Sequence, residues 1–432
     1  MVDWAALTGL ETTAKWWARD QASNPGPAAR VGFNLRSPTL ITAAISLGLV
    51  LGQLAIMAVP ALAMELSGLW HLDASEIGWL GGIYFAGYAM ALPFLPEFTN
   101  RFDDRSVYAA AALTGAGAAL GMALFADGFW SALVFRSIAR MGFSGIHIIG
   151  MKLLAERLAG DGQARASAFY TGAFALGSGC SYLLAGYLST ALGWETVFFA
   201  VCLGSLCAIP ALLLIGPPPD GQLPASRGRL ADFAAVLRDG ESLRYIVAYA
   251  GNLWEVFAIR VWFVPFLAFN HASNGDAELD MQPTTLAALS VLIAVALNIL
   301  VAEIGIRYGR KLVIGVVSGA SVLVCGALGW QPAGAYGLVL VLLLLHGVTS
   351  YGDVGAIAGG FAAATKRETR AAALSLLGMA GFTFGFLGPL AVGLAIQQGG
   401  GRDQATAWLW GFAVMALGSV LSGLAMPWRG KS

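Results

Sequence analysis

"IRYGRK", Ile306–Lys311, and "NRFDDR", Asn100–Arg105, lie 206 positions apart, each a short polar break between long apolar runs. Two further pairs keep nearly the same spacing. "VPALA" at Val59–Ala63 returns as "VPFLA" at Val264–Ala268, and "RASA" at Arg165–Ala168 returns as "RAAA" at Arg370–Ala373, both 205 positions on. Three matches in one order at one offset mark a duplicated unit of roughly half the chain.

What fills each copy is apolar. Of the 432 residues 57% are hydrophobic and 12% charged, against roughly 25% charged in soluble domains. Runs near or above the ~20 residues that cross a bilayer recur throughout. They fall at about 39–66, 76–98, 107–126, 130–155, 166–191, 194–216, 243–268, 284–305, 311–330, 335–359, 370–396 and 404–427. A backbone in lipid must satisfy its own hydrogen bonds, and the alternation of a barrel strand is absent, so these runs read as helices. The 56 glycines fit close helix–helix approach. The expected fold is an all-α membrane protein with twelve transmembrane helices in two pseudo-symmetric six-helix bundles. The expected boundaries are a tail at 1–38, a bundle at 39–216, a linker at 217–242, a second bundle at 243–428 and a tail at 429–432. Six spans per copy is even, so both copies share one orientation.

Charge sets that orientation. With both termini in the cytoplasm, the segments on that side hold 21 Lys and Arg, and the opposite side holds one, Arg402. A net charge of zero argues against nucleic acid as a partner. The Ala/Gly-rich composition points to a multi-pass protein of a bacterial inner (plasma) membrane. No cleavable signal is apparent in the polar first 38 residues. Residues 2–20 read either as a surface helix or as a loose tail. Cys180, Cys202, Cys207 and Cys325 show no metal-ligand spacing and read as apolar packing residues.

The polar breaks carry a resemblance. Residues 39–428 look like a major facilitator superfamily transporter, whose Gly-x-x-x-Asp-Arg-x-Gly-Arg-Arg/Lys loop follows the second and eighth helices. The second copy keeps Arg307, Gly309, Arg310 and Lys311, with Ile306 where Asp is usual. The first keeps Arg101 and Arg105, with Pro96, Asn100 and Asp103 in place of Gly, Asp and the second Gly. Arg136 matches the family's helix-four Arg, but Arg140 replaces the Gly that should follow. Helix five has Ser181-Tyr182 where proton-driven drug antiporters have Gly-Pro, and Gly388-Pro389 occurs in helix eleven instead. The resemblance implies alternating access around a midplane site, with the loop motif as a cytoplasmic latch and a single copy sufficing.

Charges inside the spans supply the candidate site. An ionisable group near the bilayer centre costs roughly 2.5–3.5 kcal/mol, so it faces a cavity or a partner. Glu255 and Arg260 sit in the seventh span, about 140° apart on a regular helix, so each needs a partner elsewhere. Arg136, Arg140 and His147 share one face of span four; His346, Ser350 and Asp353 share one face of span ten. The 206-residue offset lays Arg140 on His346 and His147 on Asp353. Asn252 shares the face of Glu255; Gln53, Tyr84 and Tyr88 could add hydrogen bonds, although helix packing with a satisfied hydroxyl or amide is the better explanation of those three. All these groups are expected to meet in one wet chamber.

Arginine cannot shed its proton and forks onto carboxylate or phosphate oxygens. The expected activity is therefore a secondary carrier for a small organic anion, driven by protons. Burial and a nearby Arg act on the protonation of Glu255 in opposite senses. Protonating Glu255 would then release an Arg to the substrate, with His346 and Asp353 as a second proton pair. Two alternatives stand beside this: proton-coupled efflux of hydrophobic or cationic compounds, and a non-transporting scaffold, assembly factor or sensor. No nucleophile triad, phosphate-cradling loop or metal cluster is evident, so neither an enzyme nor a cofactor is expected.

Overall fold

A computed structural model describes residues 37–92, 94–158, 160–215, 230–274, 281–366 and 368–426. The surface-helix reading of 2–20, the tails apart from Ser37 and Pro38, and residues 217–229 of the linker lie outside these residues. Pro38–Ser432 forms one compact unit. Its α-helices in chain order are α1 (Pro38–Gly52), α2 (Ala58–Ala61), α3 (Ala63–Trp70), α4 (Ala74–Ala91), α5 (Leu95–Arg101) and α6 (Asp104–Phe125). Then follow α7 (Phe129–Arg157), α8 (Gly160–Leu192), α9 (Trp194–Cys207), α10 (Leu230–Arg238), α11 (Gly240–Asn274) and α12 (Pro283–Tyr308). The last five are α13 (Arg310–Trp330), α14 (Tyr336–Tyr351), α15 (Val354–Ala364), α16 (Arg370–Gln398) and α17 (Ala405–Ala425). Ten helical stretches among the described residues are long and apolar enough to cross a membrane. The expected second and fifth spans, α4 and α8, are helical but more polar, and are not among the ten. Part of the expected linker is also helical, as α10.

The expected first span is not one helix, and the reason is specific. Pro60 has no N–H to donate back to Ile56, and the chain passes through a 3₁₀ turn at Gln53–Ala55. Side chains of other helices take over the freed backbone groups. Ser181 Oγ of α8 donates to the Leu54 carbonyl and accepts from Met57 N at 2.9 Å, while Arg136 Nη1 donates to the Ala55 carbonyl at 2.9 Å. The expected tenth span is broken too, at Gly352-Asp353, between α14 and α15. Here Asn252 Nδ2 of α11 donates to the Ser350 carbonyl at 2.7 Å, and Gly355 N donates to Asn298 Oδ1 at 2.9 Å. Such substitutions let a broken helix persist away from water.

Small residues bring the helices together. Gly78 and Gly82 of α4 abut Pro389 and Phe386 of α16; a Cβ on Gly78 would lie 2.7 Å from the Pro389 carbonyl. Gly179 and Gly186 of α8 face Leu292 and Thr284 of α12 in the same way. α11 threads the centre, with nearly every residue from Gly251 to Leu267 buried. Trp130, Trp330, Leu213 and Leu424 lie outside, each at least three-quarters exposed, as in a surface that faces lipid.

Candidate functional site

The intramembrane charges do not share one chamber. They are held in separate clusters, each built from its own helices. Arg136, Arg140 and His147 lie on one side of α7. Arg136 is tied to backbone: Nε donates to the Leu80 carbonyl at 3.2 Å, in addition to the Ala55 bond. Its guanidinium carbon sits 4.4 Å from the centre of the Tyr84 ring. This side chain holds the helix-one break in place.

Arg140 is fully buried in a box of rings. Its guanidinium carbon lies 4.6 Å from the ring centre of Phe143, 4.8 Å from those of Tyr84 and Tyr88, and 5.6 Å from that of Phe382 on α16. Cation–π attraction of this kind is worth roughly 2 kcal/mol when desolvated. One donor is used: Nη1 bonds Gln53 Oε1 at 3.3 Å, and Gln53 Nε2 in turn bonds Ser178 Oγ at 3.3 Å. Nε and Nη2 are buried and have no partner, nor does the neighbouring Tyr84 hydroxyl. Among the described residues, no carboxylate forms an ion pair with Arg136, Arg140 or Arg260. His147, partly exposed, bonds the Tyr88 hydroxyl through Nδ1 at 2.9 Å and packs between Phe143, Tyr170 and Phe174.

Glu255 belongs to a different cluster. Oε1 lies 2.8 Å from His346 Nε2 and accepts from Ser321 Oγ at 2.6 Å; Ser419 Oγ donates to Oε2. The expected release of an Arg by Glu255 is therefore corrected, because the carboxylate is saturated by α13, α14 and α17 rather than by α7. His346 and Asp353 do not pair either, since the break at Gly352 turns Asp353 toward Asn252, whose Nδ2 donates to Oδ1 at 2.7 Å. Arg260 stands apart again, 5.1 Å from the Tyr351 ring centre and 5.8 Å from that of Phe257. Its backbone carbonyl accepts from the Tyr182 hydroxyl of α8. Beside it, a cavity of about 20 Å³ lined by Tyr182, Ser290, Ser350 and Tyr351 has room for about one water.

The loop motifs close on acids nearby. Arg101 pairs with Glu97 at 2.7 Å, Arg105 with Asp103 at 2.9 Å, Arg307 with Glu303 at 3.1 Å and Lys311 with Glu241 at 2.8 Å. Hydrogen bonds from Arg105 hold the Asp103 carboxyl below the usual carboxylate range. Gly309 takes φ +101°, a turn that glycine tolerates, and Arg310 lies over Gly359. Asn100 is exposed at the end of α5.

Ser181, Ser321, Ser419, Cys325, Phe143 and Phe382 were not anticipated. Cys325 is not mere packing: its Sγ lies 3.0 Å from His346 Nε2 and 3.6 Å from Glu255 Oε1. The spacing of Ser318, Ser321 and Cys325 at three and seven places a polar stripe on α13 and was a legible signal.

Residues 44–275 match the Major Facilitator Superfamily. Over 163 residues the chain is 27% identical to the niacin transporter NiaP of Acinetobacter baylyi, a match that spans 37% of this chain and 36% of that protein. The fold resembles a bacterial homologue of the human lysosomal transporter Spinster in its inward-facing, unoccupied conformation, with TM-score 0.72, 16% identity and coverage of 90% and 95% of the two chains. It also resembles the nucleoside transporter NupG (TM-score 0.69, 15% identity, 90% and 100% covered) and a D-xylose–proton symporter (TM-score 0.64, 15% identity, 90% and 97% covered). At these identities the likeness to the solved structures is one of fold.

Proposed function

The chain belongs to the Major Facilitator Superfamily, and on that premise we propose that it is a secondary carrier for a small organic anion, coupled to protons. Its twelve spans would form two six-helix halves that rock about the midplane, α1–α9 against α11–α17. One observation supports the anion above all: the orphaned Nε and Nη2 of Arg140. These two N–H groups form one edge of the guanidinium fork, whose spacing matches the two oxygens of a carboxylate. Leaving such donors buried and unmade costs about 1–3 kcal/mol each, a cost that a bound carboxylate would remove.

The rings around Arg140 favour a flat, apolar body behind that carboxylate, and the partial match to a niacin transporter makes nicotinate the first compound to test. Phe382 and Tyr88 would part to admit it, since their ring centres are 4.1 Å apart here. The Tyr84 hydroxyl would supply a third donor. In this reading access would run from the cytoplasmic side. His147 is partly exposed on that side of Arg140, whereas at the other end Ala74 N bonds Gln397 Oε1 and Gly186 meets Thr284. Arg101, Arg105, Arg307 and Lys311, bonded to acids of their own half here, would exchange partners when the carrier faces outward.

Asp353 is the candidate proton carrier. It is buried and bonded to Asn252 at the helix break; Glu255 is the acid that faces it, and among the described residues no Lys, Arg or His forms an ion pair with it. A buried charge without a counter-charge is expensive while the neutral acid is not. Gaining or losing a proton there would shift the energy of the break on which α14 and α15 turn. Cation efflux is less well supported, because both buried acids are bonded away from the Arg140 box.

The test is counterflow in proteoliposomes. Preloaded nicotinate or a related carboxylate should drive uptake of the labelled compound in wild type but not in Arg140→Ala. If none of a panel of small carboxylates exchanges, the anion-carrier reading fails, and cation efflux or a non-transporting scaffold or sensor stands.

A further inference from the structure

The cluster around Glu255 has more donor atoms than protons to share. His346 Nε2 has Glu255 Oε1 at 2.8 Å and Cys325 Sγ at 3.0 Å, yet a neutral ring carries one N–H. If Nε2–H points to the carboxylate, Sγ sits closer to that nitrogen than a non-bonded contact allows. The third side of the triangle, Sγ to Oε1, is 3.6 Å. All three side chains are buried, and they come from three helices, α11, α13 and α14.

We propose that Glu255, Cys325 and His346 form a binding site for one borderline d-block divalent cation of the Zn²⁺ type. A circle through the three donor atoms has a radius of about 1.9 Å, slightly below the ~2.0–2.3 Å of Zn–O, Zn–N and Zn–S bonds. An ion therefore seats just off their plane without the helices moving apart. The donor set, one sulfur, one imidazole and one carboxylate, selects Zn²⁺ and Co²⁺ over Mg²⁺ and Ca²⁺, which take oxygen ligands. The carboxylate is already oriented, since Ser321 and Ser419 bond its two oxygens. Binding breaks the Cys325 S–H bond and sends that proton to solvent. The ring's single proton moves from Nε2 to Nδ1, and Nε2 offers its lone pair. Nδ1 has no partner, which sets the affinity some 10- to 100-fold below that of a fully supported site. An ion here pins α11 to α13 and α14, the elements that converge on the helix-ten break. The site stands independently of the anion reading.

The experiment uses the full chain in detergent with Cys180, Cys202 and Cys207 changed to Ser, leaving Cys325 as the sole thiol. Co²⁺ is added and its absorption followed to a plateau, because access to a buried site is slow. One Co²⁺ per chain with thiolate-to-cobalt charge-transfer absorption is expected, displaced by Zn²⁺ and indifferent to Mg²⁺. The band should vanish in Cys325→Ala, and apparent affinity should fall at least 100-fold in His346→Gln. Absence of the band in the sole-thiol protein overturns the proposal whatever the variants do, as does a band that survives in Cys325→Ala.

Discussion

Arg140 and Gln53 are joined by a single hydrogen bond, Nη1 to Oε1 at 3.3 Å, and that bond leaves Nε and Nη2 side by side with no acceptor. A lysine at 140 would keep the charge within the rings but offer no fork. Arg140→Lys is expected to fold, to melt within a few degrees of wild type, and to bind the carboxylate substrate at least tenfold more weakly. Titration calorimetry on purified protein measures this directly.

Ser181 serves two backbone groups at once, the Leu54 carbonyl and Met57 N. Removing its hydroxyl strands both in a water-poor interior, at about 1–3 kcal/mol each. Ser181→Ala should therefore lower the melting temperature clearly. Ser181→Thr, which keeps the hydroxyl, should recover most of the loss if its added methyl is tolerated.

Much of this architecture is readable from residue order. Long apolar runs specify the helices because lipid leaves the backbone no other solution, and the placement of Arg140, Glu255 and His346 deep within those runs marks them as buried polar groups. Partner choice is another matter. That Ser181 bonds Met57, 124 positions away, depends on helix packing that no local pattern encodes. The aromatic box is hidden for a related reason: Phe143 and Phe382 look like any other apolar residues in a span. Pseudo-symmetry also misled, since His346 lies at the offset of Arg140 but is bonded to an acid, whereas Arg140 has none.

Asp353 should carry the pH dependence. In this account the anion moves with a proton, so uptake into liposomes rises as the outside pH falls from about 8 to 6. Asp353→Asn resembles the permanently protonated form. It should bind substrate with near-normal affinity, exchange it in counterflow, and show no response of uptake to an imposed pH gradient. A variant that retains the full wild-type pH response would remove Asp353 from the coupling path.

The α4–α16 contact leaves no room for side chains. A Cβ on Gly78 would meet the Pro389 carbonyl at 2.7 Å and the Gly393 Cα at 3.2 Å. Gly78→Leu should destabilise the protein by about 1–3 kcal/mol through overpacking, read as a lowered melting temperature. At Gly68 a Cβ would meet nothing within 4 Å, so this position should accept Leu with little change.

The most direct measurement compares a carboxylate with its own amide. Nicotinate and nicotinamide share shape and ring, and differ in whether two anionic oxygens can meet Nε and Nη2 of Arg140. Calorimetric titration of the wild-type protein with a panel of such pairs should show at least one carboxylate binding 100-fold or more tighter than its amide. Equal binding within the pairs, or binding confined to the amides, would contradict the account.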